Sequence, residues 1–272
     1  MTSRSNFLTI KMIVLFLLVF LFAEIPCSAE TVIVSAAASL TNAFQEIGKR
    51  FTVLHPNVFI RFNFGSSGAL QHQIEQGAPV DVFASAGNKE MNILANENLI
   101  QKNTRTIFVT NSLVLVCRKG SRLKSWDDLA KPFVKHVAIS DPQSVPSGRY
   151  AEETLKHKKI WNIVIKKAVL GEDVRQTLSY VVQGDAQAGI VFRTDAEYAA
   201  KSINIIATAH SGVDHSPIVY PIALVSSTHH PLFAKEFLEF VLGNTGRAIL
   251  TRFGFTVPHE NTVVSKHIIV KH

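Results

Sequence analysis

Short apolar runs alternate along this chain with segments whose apolar residues recur every three to four positions. Thr31–Ser35 (TVIVS) reads as a buried strand, and Leu40, Phe44, Ile47 and Phe51 follow at helical spacing. Val58–Phe64 predicts a second strand with a short helix ending at Gly77. Val80–Ala84 predicts a third, followed by a helix over Lys89–Leu99 with Met91, Leu94 and Leu99 inward. A second block repeats the pattern. Ser112–Val116, His136–Ser140 and Ala188–Phe192 read as strands, with helices over Gly148–His157 and Asp173–Gln183. After Ile218–Val225 the chain ends in helices, one carrying Phe233, Phe237 and Val241 and a shorter one running to Phe253. Such alternation predicts an α/β fold in which mostly parallel sheets are flanked by helices. No repeat, low-complexity stretch or flexible linker separates the blocks. Two lobes are therefore expected, joined by hinge strands near 111–116 and 218–225. Lobe 1 would be discontinuous (30–110 and 226–272) and lobe 2 would span 111–225; a single larger sheet is the alternative.

The first 29 residues stand outside this scheme. Arg4 and Lys11 give a positive start, Met12–Phe22 is unbroken apolar sequence, and Cys27-Ser28-Ala29 offers small residues for cleavage after Ala29. That is the layout of a secretory signal peptide. As a membrane anchor the apolar run is too short, being about half the ~20 residues needed to span a bilayer. Glu24, Ile25 and Pro26 before Cys27 fit a lipidation signal poorly, so Cys27 is expected to leave with the signal. Export to the periplasm follows, and Cys117 remains as a single thiol that cannot form an internal disulfide.

Charge changes the picture modestly. The chain carries 28 Lys and Arg against 21 Asp and Glu, and removing Arg4, Lys11 and Glu24 leaves it basic. A moderately basic surface favours an anionic partner. The basic residues are scattered, without interleaved aromatics, which argues against nucleic-acid binding. Nothing beyond residue 30 is long and apolar enough to cross a membrane.

The most informative positions lie between strand and helix at four places. They are Ser35–Thr41 (SAAASLT), Phe64–Gly68 (FGSSG), Asp141–Gly148 (DPQSVPSG) and Gly171–Arg175 (GEDVR). A helix start presents backbone N–H groups without intrahelical acceptors, and the aligned peptide dipoles add partial positive charge there. An anion at such an end gains both effects. Gly65 and Gly68 would let backbone approach a ligand closely, and Pro146 suits a first helical position. In open α/β sheets the ligand crevice also lies at the carboxyl ends of the strands. Each turn taken alone reads equally well as an ordinary helix cap.

Taken in order, these segments resemble the bacterial periplasmic molybdate-binding proteins. The resemblance is carried by Ala36–Phe44 (AAASLTNAF), Phe64–Leu70 (FGSSGAL), Gln73–Pro79 and Asp81–Ala86 (DVFASA). It continues through Asn111–Val116, Asp141-Pro142 with Val145–Gly148 and Tyr150-Ala151, Glu172–Arg175, Gly189–Ala196 and Arg252–Phe255. It covers about Thr31 to Val257. The resemblance implies a two-lobed type II periplasmic-binding fold that holds molybdate or tungstate between its lobes and hands it to an ABC-type membrane permease. It implies a monomer with no separate cofactor and no directly coordinated metal. By position, Ser39 and Ser67 would donate through hydroxyl and backbone N–H, and Ser147 and Val174 through backbone N–H. The family's ligand tyrosine is replaced here by Phe192, which can wall the pocket but cannot donate. Ser147 stands where alanine is common, so its extra hydroxyl is a candidate to compensate. The tail over 258–272 is longer than usual for the family and has no assigned role.

Two other readings compete. Sulfate or another tetrahedral oxyanion shares the charge and shape of molybdate. Gly65–Ala69 (GSSGA) also approximates a nucleophile elbow, which would make Ser67 a hydrolase serine with His210, His215, His229 or His230 as base. The final glycine of that motif is Ala69, and no oxyanion-hole motif precedes it. Asp81 and Asp195 are expected to be structural, because a carboxylate would repel a dianion.

Overall fold

The computed structural model describes residues 30–258. Residues 1–29, where a signal peptide is expected, and residues 259–272 of the tail lie outside the described residues. In chain order the strands are β1 (Glu30–Ala37), β2 (Val58–Gly65), β3 (Val82–Ala84), β4 (Thr106–Thr110) and β5 (Leu113–Arg118). They continue with β6 (Val137–Ser140), β7 (Ala168–Gly171), β8 (Ala188–Phe192), β9 (Ile203–Thr208) and β10 (Val219–Leu224). The helices are α1 (Thr41–Leu54), α2 (Ser67–Glu75), α3 (Asn88–Asn96), α4 (Pro146–His157), α5 (Trp161–Val164), α6 (Val174–Gln183), α7 (Arg193–Tyr198), α8 (Pro231–Leu242) and α9 (Asn244–Arg252).

Two five-stranded sheets result, ordered β2-β1-β3-β10-β4 and β7-β6-β8-β5-β9. In each, one strand runs against the other four: β10 in the first sheet and β5 in the second. The helices around each sheet complete a lobe. The chain passes from the first sheet to the second between Thr110 and Leu113 and returns between Thr208 and Val219. Of the two strands expected at the hinge, β5 thus belongs to the second sheet and β10 to the first.

The apolar patterns have direct structural causes. Val32, Val34 and Ala36 of β1 are fully buried because these alternate positions share one sheet face, which packs into the core with Phe44, Ile47 and Phe51. On α1 the helical repeat buries Phe44, Ile47 and Phe51, each worth roughly 1.5–3 kcal/mol of transfer free energy. Phe237 of α8 meets Phe44 and Phe51 edge-on, at centroid distances of 6.3 and 5.5 Å. At its end α6 is closed by Gly184, whose φ of 97° is left-handed and suits glycine.

Three strands were not expected from periodicity: β4, β7 and β9. All three are edge strands, which pack on fewer neighbours and so tolerate mixed sequences such as INIIAT. The register positions the functional edge of each sheet. Ala37 pairs with Gly65 and Ala36 with Ala84, while Ser140 pairs with Gly171 and Ile139 with Ile190. Three strand ends therefore lie level in each lobe.

Candidate functional site

Those six strand ends surround one narrow cavity of about 10 Å³. Ala37 to Ser39, Gly65 to Ser67 and Ala86 line it from the first lobe; Val145 to Ser147, Asp173, Val174 and Phe192 line it from the second. Ser39, Ser67, Ser147, Val174 and Phe192, separated by up to 153 positions in the chain, are thus brought together. Ser67 and Ser147 are fully buried, and Ser39, Val174 and Phe192 nearly so.

The hydrogen bonds at the four helix starts show which backbone donors there are already used and which are not. At α2, the N–H of Gly68 donates to the Ser144 carbonyl of the other lobe (3.0 Å), while Ala69 and Leu70 donate to Ser66 Oγ and its carbonyl. At α6, Arg175 and Gln176 donate to Asp173 Oδ1 at 2.7 and 2.9 Å, and Thr177 to the Asp173 carbonyl. At α4, Pro146 has no N–H, and Gly148 and Arg149 donate to the Val145 carbonyl. Before α1 a single 3-10 turn spans Ala38–Leu40, and Thr41 donates back to Ala38. Among the described residues, the N–H groups of Ser39, Ser67, Ser147 and Val174 are left without a protein acceptor. Each helix start thus leaves a free donor on a residue that lines the cavity.

The hydroxyls divide into two kinds. Ser67 Oγ accepts the Ala86 N–H at 3.0 Å, so its own proton is free for the cavity. Ser39 Oγ lies 3.0 Å from the Tyr220 hydroxyl. Ser147 behaves differently: its hydroxyl donates to Ser140 Oγ at 2.8 Å. Ser140 in turn bonds Thr177 Oγ1, whose proton goes to the Asp173 carbonyl. The Ser147 proton is therefore committed inside the lobe, and the compensation expected of that hydroxyl has no donor to work with. Gly68 likewise makes its close approach to Ser144 of the facing lobe, not to the cavity.

No Lys or Arg lines the cavity. Its one carboxylate, Asp173, is held as the α6 cap. The nearest guanidinium, Arg175, pairs with the buried Asp195 and donates to Asn42 of the first lobe at 2.7 Å. It borders an adjoining open cleft of about 200 Å³, which shares Ser39 with the cavity and is lined also by Asn42, Glu197, Tyr198 and Arg252. Full burial pushes the Asp195 carboxyl up to about 6, with Arg175 pulling the other way. Asp81 accepts the Ile33 N–H at 2.7 Å and is a structural link. Phe192, at the end of β8, packs between Tyr150 and Tyr220 at centroid distances of 6.3 and 5.8 Å.

A hydrolase arrangement is not assembled. Ser67 Oγ is an acceptor from backbone, while His210 pairs with Asp214, His215 with the Ser216 carbonyl and His230 with Glu30. Cys117 is buried in β5 and burial pushes its thiol up, away from reactivity.

Two sheets joined by two crossings, with a donor-lined cavity between them, define a ligand-binding protein of the type II periplasmic-binding fold. The sequence profile of the bacterial extracellular solute-binding proteins matches residues 32–256. A Bacillus subtilis relative provisionally named ABC transporter substrate-binding lipoprotein YvgL is 41% identical over 83% of this chain and 86% of its own. The molybdate-binding protein ModA of Haemophilus influenzae is 34% identical over 83% of this chain and 89% of its own. Among solved structures, the periplasmic molybdate-binding protein of Azotobacter vinelandii superposes with a TM-score of 0.76 at 25% identity, covering 84% of this chain and all of that one. The chain belongs to the bacterial extracellular solute-binding proteins, a family of binders and not of enzymes, and within it to the molybdate-binding ModA family.

Proposed function

We propose that this protein captures molybdate or tungstate in the cavity between its lobes and delivers it to the membrane permease of an ABC importer. The observation that carries the reading is the convergence of four unpaired backbone N–H groups and two proton-bearing hydroxyls on one cavity whose lining includes no Lys or Arg. Fixed neutral dipoles can hold a dianion at helix starts without a counter-charge. The Ser39, Ser67, Ser147 and Val174 amides all donate and the Ser67 hydroxyl keeps a proton to give, which matches a fully deprotonated oxyanion. Hydrogen phosphate brings a proton that competes with these donors, and a buried polar group left unpaired costs roughly 1–3 kcal/mol.

Capture proceeds by lobe closure, because only the closed arrangement offers donors from both halves at once. Three contacts span the lobes beside the cavity: Gly68 with Ser144, Asn42 with Arg175, and the buried pair Glu90–Arg149 at 2.7 Å. They hold the closed arrangement without touching the ligand space. The protein acts in the periplasm after cleavage behind Ala29, and intact mass of the exported protein tests this. A chain starting at Glu30 is expected, whereas a lipid adduct on Cys27 would overturn it.

Calorimetric titration of the exported protein with molybdate, tungstate, sulfate and phosphate at matched ionic strength tests the ligand. Binding of one molybdate or tungstate per chain, tighter than sulfate and with no phosphate response, is expected. Sulfate binding more tightly than molybdate would reassign the cargo within the oxyanion class.

A further inference from the structure

We infer that Tyr220 is a positioning residue that fixes the Ser39 hydroxyl as a proton donor toward the cavity. The inference rests on the oxyanion reading of the cavity and follows from counting protons along one buried chain of groups. It begins at Asn111, in the first crossing between the sheets. Asn111 Oδ1 accepts the Ser112 backbone N–H at 2.8 Å, and that bond fixes which end of the amide is oxygen. Its Nδ2 therefore carries both donors. One goes to Thr194 Oγ1 of the second lobe at 3.0 Å and the other to the Tyr220 hydroxyl oxygen at 3.2 Å.

Tyr220 is fully buried on β10, between Phe108, Phe192 and Phe255. Burial holds its phenol well above the ordinary value, so it keeps its proton. Its oxygen already accepts from Asn111, and among the described residues its other hydrogen-bond neighbour is Ser39 Oγ, at 3.0 Å. The phenolic proton accordingly goes to Ser39. Ser39 Oγ then accepts on the side facing Tyr220, and its own proton is left for the cavity. Without Tyr220 the Ser39 hydroxyl would be free to turn among its three staggered positions and to offer the cavity a lone pair.

The geometry ties the hinge to the site. Asn111 sits where the chain changes lobes and bonds groups from both, so its amide reaches the ligand-facing hydroxyl through one side chain. Tyr220 is fully buried behind Ser39 and is absent from the cavity lining, so its influence passes through Ser39.

A double-mutant cycle on molybdate affinity tests this. Ser39→Ala is expected to weaken binding about 10- to 100-fold, the range for a hydrogen bond to a charged group. Tyr220→Phe keeps the ring and its packing, and is expected to weaken binding about three- to tenfold by releasing the hydroxyl. In the Ser39→Ala background it should change affinity less than about twofold, since no hydroxyl remains to orient. Equal weakening by Tyr220→Phe in both backgrounds, or none in the parent, overturns the proposal. A neutron structure of the ligand-free protein reads the same point without ligand. The deuteron should lie on Tyr220 and point at Ser39, with Ser39's own deuteron toward the cavity; the reverse assignment overturns it. Failure of the parent protein to bind any oxyanion would instead sink the cavity's assignment while leaving the neutron test of proton direction intact.

Discussion

Phe192 is the position where one substitution is expected to improve the protein. It is 1% exposed, lines the cavity from the end of β8 and carries no donor. Phe192→Tyr adds one hydroxyl toward the ligand space. A hydrogen bond to a charged group contributes about 1.5–3 kcal/mol, so molybdate affinity should rise about 10- to 100-fold. The same hydroxyl has an opposite effect without ligand. Phe192 is surrounded by Tyr150, Tyr220 and apolar walls, and a buried hydroxyl with no partner costs about 1–3 kcal/mol. The ligand-free variant should therefore melt a few degrees lower, at ~2–4 °C per kcal/mol for a chain of this size. In saturating molybdate the gap should shrink or close, because tighter binding adds about 1.4 kcal/mol per tenfold. Calorimetry gives the affinity and differential scanning gives both melting points. Equal or weaker affinity in the tyrosine variant would refute the reasoning, since it would mean that the ring edge does not face the ligand.

The two kinds of serine hydroxyl should separate by substitution. Ser67→Ala is expected to weaken molybdate binding about 10- to 100-fold, whereas Ser147→Ala should stay within about threefold because its proton is spent on Ser140; matched calorimetric titrations decide it. A methyl group on Gly68 would run into the Ser144 carbonyl of the other lobe. Gly68→Ala should therefore disfavour closure by about 1–3 kcal/mol, weakening binding roughly 5- to 150-fold, and small-angle scattering should show a larger radius at equal ligand. Asp195 carries a carboxyl pushed up to about 6 by burial. Its folded value lies above the unfolded one, so it withdraws stability as pH rises from about 4 through 6. Across that window denaturant melts of Asp195→Asn should gain stability relative to the parent; a relative loss would contradict the assignment.

Central strands and amphipathic helices were legible in the sequence because their burial leaves a continuous or periodic mark. The runs around Val32, Ile139 and Ile190 are apolar since both strand faces are covered, and Phe44, Ile47 and Phe51 repeat because one face of α1 is. Edge strands carry a weaker mark: β4, β7 and β9 were not read, whereas β2, also at an edge, was legible in the run Val58–Phe64. Small residues at the four helix starts marked the site's turns, and the family resemblance picked Ser39, Ser67, Ser147 and Val174 out of them. The sequence could not show where hydroxyl protons go. Ser147 looked like an extra donor, and only the bond to Ser140 removes it. Tyr220 went unnoticed as a partner of Ser39 because 181 positions separate them and its strand is simply apolar. Arg175 was visible within GEDVR, yet its pairing with Asp195 joins two helices of the second lobe and its bond to Asn42 depends on the lobes meeting.

The central claim is that an oxyanion sits where the four free N–H groups converge. Crystals grown with molybdate and measured at the molybdenum absorption edge locate the metal directly. One anomalous peak per chain is predicted, inside the cavity and within hydrogen-bonded reach, through its oxygens, of the Ser39, Ser67, Ser147 and Val174 amides. A peak in the neighbouring cleft beside Arg175 and Arg252, with none in the cavity, would contradict it.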